Sequence, residues 1–406
     1  MTRTVFAGGE VFDGTGAPAL LADVAIEGGR IVEVAPGLTG DDIHDVTGKL
    51  IIPGLIDAHA HAQFDGMDVV ASQQQPFSLQ FFEAERNLRT ILASGITTIR
   101  DAGGIDLGVK TALERGMIAG PRALISISVL SQTGGHVDGW NVHGDHQRLL
   151  VPHPGRPDCV VDGVEGMRQR VRELLRAGAD TIKVCATGGV MSTRDDPRHS
   201  QFSLDELVVC VEEARAAGKD VLAHAQGAAG IKNALRAGVR SIEHGIFLDD
   251  ECIELFLETG AWLVPTLLAP AALIESIDAG MRVTPEMEVK ARSVVEVHRA
   301  AIARAHAAGV RIAMGTDAGV FPHGQASREL VFLIDAGMSP EEALVAATSG
   351  AAELLRLSDE IGTVTAGKAA DLLVLGGDAW NLAAFAENLE TVVQAGQIVE
   401  REANAT

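Results

Sequence analysis

Apolar residues run along this chain in two rhythms. Between residues 2 and 52, short apolar runs alternate with turn residues. Thr4-Val5-Phe6-Ala7, Val24-Ala25-Ile26-Glu27 and Arg30-Ile31-Val32-Glu33-Val34 read as strands, with Gly28-Gly29 as a hairpin turn. The far end behaves the same way, with Asp371-Leu372-Leu373-Val374-Leu375 and the stretch 391–399 strand-like around turns. The middle follows another rule: an amphipathic helix, a small residue plus Gly, then a short apolar strand. It recurs as ASG-ITTIRDAGG, RAG-ADTIKVCATGG, AAG-KDVLAHAQG, RAG-VRSIEHG, ETG-AWLVPTL and AAG-VRIAMGTDAG. Gly95, Gly178, Gly218, Gly238, Gly260 and Gly309 stand where a helix ends in a left-handed residue, a conformation Gly adopts without a Cβ clash.

Strands at 55–62 and 123–130 bring the expected number to eight. Strands alternating with helices pair in parallel, and eight such units predict a (β/α)8 TIM barrel. An open doubly wound sheet is the competing architecture, but no GxGxxG follows a first strand. The expected domains are a small β-sandwich made from both chain ends, 1–52 and 362–406, around a catalytic barrel at 53–361.

Composition narrows the function. The 406 residues are 47% hydrophobic and carry a formal charge of −22, which disfavours nucleic acid and anionic membrane surfaces as partners. No run of about 18 apolar residues suggests a membrane span. The start, MTRTVFAGGEVFDGTG, lacks a basic-then-apolar signal, so a cytoplasmic location is expected. The four cysteines form no CxxC, which points away from a zinc knuckle or a disulfide framework. The chain has no tyrosine, which removes one type of catalytic acid and oxyanion donor.

Barrel active sites lie at the C-terminal ends of the strands. The first strand ends Asp57-Ala58-His59-Ala60-His61, and a period of two puts Asp57, His59 and His61 on one face. Inward histidines are costly unless each nitrogen finds a partner, and a metal supplies one. The fifth strand brings His224, the sixth His244 and the eighth Asp317, a convergence of N and O donors suited to a divalent metal such as zinc. Lys183 lies inside the fourth strand, Thr181-Ile182-Lys183-Val184-Cys185. Facing positive charge there, it is expected to be neutral, and a neutral amine reacts with carbon dioxide to give a carbamate, a carboxylate able to bridge two metals.

Pro53-Gly54-Leu55-Ile56-Asp57-Ala58-His59-Ala60-His61, Ile182-Lys183-Val184-Cys185-Ala186-Thr187-Gly188-Gly189, Ile242-Glu243-His244-Gly245 and Gly315-Thr316-Asp317-Ala318-Gly319 together resemble the amidohydrolase superfamily. The likeness extends over nearly the whole chain and is greatest to the imidazolonepropionase-like branch of binuclear peptidases: prolidase-type dipeptidases, Xaa-Arg/Lys carboxypeptidases and ochratoxin-type amidases. It implies two divalent metal ions, with zinc expected. His59, His61 and Asp317 would hold one, His224 and His244 the other, and N6-carboxylated Lys183 would bridge them. It also makes His136, after the third strand, a substrate-polarising group, with a backbone-bonded loop histidine as the alternative. Relatives of this branch assemble as homo-oligomers, so an oligomer, an octamer among the options, is expected.

The expected reaction is hydrolysis of an amide or peptide bond in a dipeptide or N-acyl amino acid, ochratoxin-like aryl amides included. A hydroxide shared by two metals would be the nucleophile, with Asp317 as proton shuttle. Gln226 stands where close dipeptidases often carry a tyrosine, so it is read as a substrate-binding residue whose recognition differs from theirs. His323 is read as lining the site, with a loop-stabilising role as its alternative. His143 and His146 read as solvated or at a subunit contact, His298 and His306 as surface residues, Asp101 and Glu243 as structural, Glu243 having the opposite strand parity to His244, and Cys185 and Trp262 as core. Two rivals stay open: a mononuclear imidazolonepropionase- or deaminase-type hydrolase, and a metal-free barrel scaffold. The deaminase pattern wants an acid soon after the fifth-strand histidine, where this chain has Ala225-Gln226-Gly227-Ala228.

Overall fold

The computed structural model describes residues 2–66, 74–192 and 195–400. Strands from both chain ends share one mixed sheet. Thr4–Val11, Leu20–Glu27, Arg30–Ala35, Asp42–Asp45 and Leu50–Pro53 come from the first fifty-odd residues, and Leu372–Leu375, Leu389–Gln394 and Gln397–Ile398 from the last thirty-odd. They join where Leu372–Leu375 runs antiparallel to Leu50–Pro53. The joining strands are apolar at almost every position because both faces are covered. Ile51, Leu372 and Val374 pack into a small core with Phe6, Val24 and Ile31. The alternate residues Leu50, Ile52, Leu373 and Leu375 face the main core instead, as a period of two requires.

The central strands are parallel throughout. Leu55–Ala60, Ile96–Asp101 and Arg122–Ile125 form one set. Val129–Leu130, Thr181–Cys185, Asp220–Gly227, Ser241–Phe247, Trp262–Val264 and Arg311–Ile312 form the other. The stretch expected as one strand at 123–130 is therefore two short ones, broken where Ile127 takes φ 68°. At the other seam, the chain after Arg311–Ile312 lies along the first central strand. Ala58 N donates to Met314 O (2.9 Å), Asp317 N to His59 O (2.7 Å) and His61 N to Ala318 O (2.7 Å).

Helices follow the repeat. Leu204–Ala216 starts at a reciprocal Ser203–Glu206 capping box and buries Leu207, Cys210, Val211 and Ala214, the spacing of one helical face. All six glycines of the repeat have left-handed φ, from 67° to 96°. No helix among the described residues is long and apolar enough to cross a membrane.

Candidate active site

The C-terminal ends of the central strands surround a cavity of about 110 Å³. Its wall includes His59, His61, Lys183, His224, His244 and Asp317, so all six candidate metal ligands come together; His136 and Gln226 line it too. His59, His244 and Asp317 each offer a donor atom within 4.8 Å of the others. Asp317 Oδ1 lies 3.3 Å from His59 Nε2 and 3.2 Å from His61 Nε2. Lys183 Nζ, almost fully buried, lies 3.4 Å from His59 Nε2.

Each of these histidines has one ring nitrogen fixed by the protein. His59 Nδ1 donates to Glu243 Oε2 at 2.6 Å, and His61 Nδ1 to the Gly103 carbonyl at 2.7 Å. His224 Nε2 donates to the Gly188 carbonyl at 3.0 Å, and His244 Nδ1 bonds Thr266 Oγ1 at 2.7 Å. Bonds of this kind select the tautomer and ring orientation that a metal ligand requires. Glu243 is itself held by Arg100, whose Nη2 reaches both carboxylate oxygens at 3.0 and 3.1 Å, both residues being buried. Burial alone raises the Glu243 carboxyl, but Arg100, His59 and Lys183 outweigh it and hold it at about 2. Burial pushes His224 and His244 well below the usual imidazole range, and it lowers Lys183. Burial opposes ionisation of Asp317, yet hydrogen bonds from His59 and His61 hold it well below the carboxylate range.

The last strand must come very near the first for Asp317 to reach these histidines. A Cβ at Gly315 would sit 2.4 Å from Val264 Cγ1 and 2.9 Å from His59 Cβ, so only glycine fits there. Asp57 locks the same seam by accepting from Thr316 N (3.1 Å), Thr316 Oγ1 (2.6 Å) and His59 N (3.0 Å). Burial raises its carboxyl to about 6.

His136 stacks on His224, with ring centroids 4.4 Å apart. Gln226 is buried, and its Oε1 has no hydrogen-bond partner among the described residues. His323 is not on the cavity wall: it is buried and its Nε2 donates to the Phe64 carbonyl at 2.7 Å. His143 and His146 are exposed, Trp262 lies in the core with Ile56 and Ala58, and Cys185 is buried at the cavity wall. Asp101 accepts backbone N–H bonds from Ala62, Gly103 and Ile105, anchoring the loop that holds His61.

Two expectations need correction: His323 as a residue lining the site, and His298 as a surface residue. His298 is not a surface residue: it is buried, and its Nε2 donates to the His244 carbonyl at 2.8 Å. It belongs to the buried stripe Ala291, Val294, His298, Ala301, Ile302 and Ala305 of helix Pro285–Ala307, a helical spacing present in the sequence. Glu243 is structural in a specific way, since it orients His59. The alternation that set Glu243 apart from His244 fails because His244 has φ 73°. Arg100 and Thr266 complete the groups that local patterns missed.

Comparison with known proteins shows what the chain as a whole is similar to. Residues 50–399 match the sequence model of the Amidohydrolase family. An ochratoxinase of Aspergillus niger is 37% identical over 315 residues, a match that covers 74% of this chain and 65% of that protein. The imidazolonepropionase of Cutibacterium acnes is 27% identical over 384 residues, covering 88% of this chain and 85% of that one. A solved structure of a Xaa-Pro dipeptidase with methionine bound in its active site superimposes with a TM-score of 0.89 at 32% identity, covering 98% of this chain and all of that one. The chain belongs to the amidohydrolase family, alongside imidazolonepropionase-like members.

Proposed function

We propose that this chain is a hydrolase of amide bonds that works with two divalent metal ions. The carrying observation is the fixed nitrogen on each of His59, His61, His224 and His244: Glu243, Gly103, Gly188 and Thr266 take one side of each ring and leave the other for the cavity. Histidines serving only as core residues would have no reason to converge with Asp317 and a buried lysine in one cavity. In this reading, the two seams of the central strands close a (β/α)8 barrel over 53–361. The shared sheet of 1–52 and 362–406 belongs to a small β-sandwich domain.

His59, His61 and Asp317 would hold one ion, His224 and His244 the other, and Lys183 as its N6-carboxylate would bridge them. His224 would use Nδ1, the nitrogen that Gly188 leaves free. Zinc suits this donor set of imidazoles and carboxylates. When bound, the ions supply Lewis acidity and make a water nucleophilic at neutral pH.

The chain's own residues do the rest. Asp317 accepts the proton released as water adds to the carbonyl carbon, and returns it to the leaving amine nitrogen. His136, on the cavity wall, faces the amide carbonyl. The unpartnered Oε1 of Gln226 accepts a hydrogen bond from an N–H or O–H of the substrate. Leu149, Val190, Met191, Ile246 and Leu273 offer apolar surface for an aliphatic or aromatic substituent. His323 serves by holding Phe64 on that wall. The substrate class is therefore a dipeptide, N-acyl amino acid or aryl amide with an apolar side group; that the enzyme works as a homo-oligomer rests on the branch it resembles.

The test is a panel of Xaa-Pro and Xaa-Arg dipeptides, N-acyl amino acids and ochratoxin-type aryl amides, assayed on zinc-loaded protein of known metal content and light-scattering mass. Hydrolysis of an amide with two metals per chain supports the reading. One metal with deamination of a cyclic substrate would favour the mononuclear alternative, and no bound metal would favour the scaffold.

A further inference from the structure

His136 sits in a cradle that the reading above does not explain. Its Nδ1 lies 3.2 Å from Ser192 Oγ and 3.3 Å from Asp195 Oδ2. Its backbone N–H donates to Gln201 Oε1 at 3.1 Å, while Gln201 Nε2 donates to the same Asp195 oxygen at 3.3 Å. Gly189 N also donates to that oxygen, at 3.2 Å, and Ser192 Oγ donates to the other. The Asp195 side chain is only 8% exposed. A cation holds the cradle from outside: Lys290 Nζ donates to the carbonyls of Gly189 (3.1 Å), Ser192 (2.8 Å) and Asp195 (2.5 Å). The ring also packs against Gly189, where a Cβ would come within 2.1 Å of His136 Cε1.

These contacts share one consequence. An ionised carboxylate only accepts, so its partner nitrogen on His136 carries the proton and Nε2 is the atom left for a ligand. Burial disfavours the Asp195 anion, but its bonds to His136 and Gly189 and the nearby Lys290 more than compensate and lower its acidity range. Without that oxygen Nδ1 keeps only the Ser192 hydroxyl, which can donate as well as accept, so the tautomer and with it the role of Nε2 are no longer fixed.

We propose that Asp195 is a positioning residue for His136, and that Lys290 fixes the backbone on which Asp195 is carried. The proposal rests on His136 acting on the substrate. It gives this chain an imidazole–carboxylate pair on the loop side of the cavity, matching the His59–Glu243 pair on the strand side. The pair is built from residues about sixty positions apart.

The experiment is a double-mutant cycle of Asp195→Ala and His136→Ala on the metal-loaded enzyme, with kcat and KM measured separately on the best amide of the panel. Metal content and Tm are measured for each variant, and Asp195→Asn is included as the conservative replacement. Asp195→Ala is expected to lower kcat by about 10–100-fold with metal content unchanged. In the His136→Ala background its effect should shrink to under about 2-fold, because the two residues act as a unit. Asp195→Asn, which keeps an acceptor for Nδ1–H, should recover part of the loss. Equal fold-losses in both backgrounds, or a loss that tracks metal content or Tm, would overturn the proposal while leaving His136 in its role. A silent His136→Ala would remove that role and the proposal with it.

Discussion

His59 and His61 reach the cavity by one route, His244 and Asp317 by another. The first pair stand two apart, His59 inside the strand Leu55–Ala60 and His61 just past it, with no left-handed step at either; the pairing with Ile96–Asp101 shifts between Asp57 and Ala60, yet the period of two still carries both rings inward. His244 and Asp317 arrive through left-handed backbone, at φ 73° and 62°. Such a conformation costs a non-glycine residue about 1–3 kcal/mol and persists only where its surroundings over-determine it. Here the surroundings are visible: Thr266 and His298 grip His244 from the side chain and the carbonyl, and Asp57 grips Thr316 beside Asp317. Extended strand places a residue cheaply and permits only every second position. The left-handed step escapes that limit, which is how adjacent Glu243 and His244 both serve the same cluster.

The largest effect should come where both routes meet. Lys183→Ala is expected to abolish turnover and to lose at least one metal, with partial rescue by short carboxylic acids that replace the carbamate. Metal analysis and rescue kinetics check this, and full activity in the variant would end the bridging role. Next is Asp317→Asn, which keeps the shape of the strained step but cannot take a proton. It should retain at least one metal while kcat falls by about 10²–10⁴-fold. Near-normal kcat with both metals bound would pass the proton role to another group, His136 first.

Glu243→Gln probes the extended side. His59 keeps an acceptor but Arg100 loses its buried counter-charge. Metal affinity should fall by about 10–100-fold and Tm should drop as well, by competitive chelator titration and calorimetry. The smallest effect is a pH slope from Asp57. Its folded-state value, raised to about 6 from an ordinary 3.8, means the folded chain binds the extra proton between those values. Its stabilising contribution is therefore complete below about pH 4 and is lost as pH rises through about 6. The stability difference between the native protein and Asp57→Asn should narrow over that window, and a difference that widens would show that the carboxyl is ionised in the seam.

The same contrast explains what could be read from sequence. His59, His61, Lys183 and His224 lie where strand period and the helix–glycine–strand repeat expose them. Gly315-Thr316-Asp317 was legible as a motif, though not the need for glycine, which comes from the approach of Val264 and His59 across the seam. Arg100 and Glu243 pair across 143 residues, and no local pattern carries that distance. Glu243 was set aside by a parity rule that holds only for extended backbone. His298 was hidden for another reason: a buried histidine in a helical stripe looks like any polar residue on a long helix until its carbonyl partner is known. Loop residues were the least legible, since His323 and His136 both follow strands and only one of them borders the cavity.

The most direct test is metal titration of chelator-stripped protein in bicarbonate buffer, following hydrolysis of the best amide from the panel. The account predicts that activity returns in step with zinc and reaches its plateau at two equivalents per chain. A plateau at one equivalent, or full activity with no metal added, would contradict it.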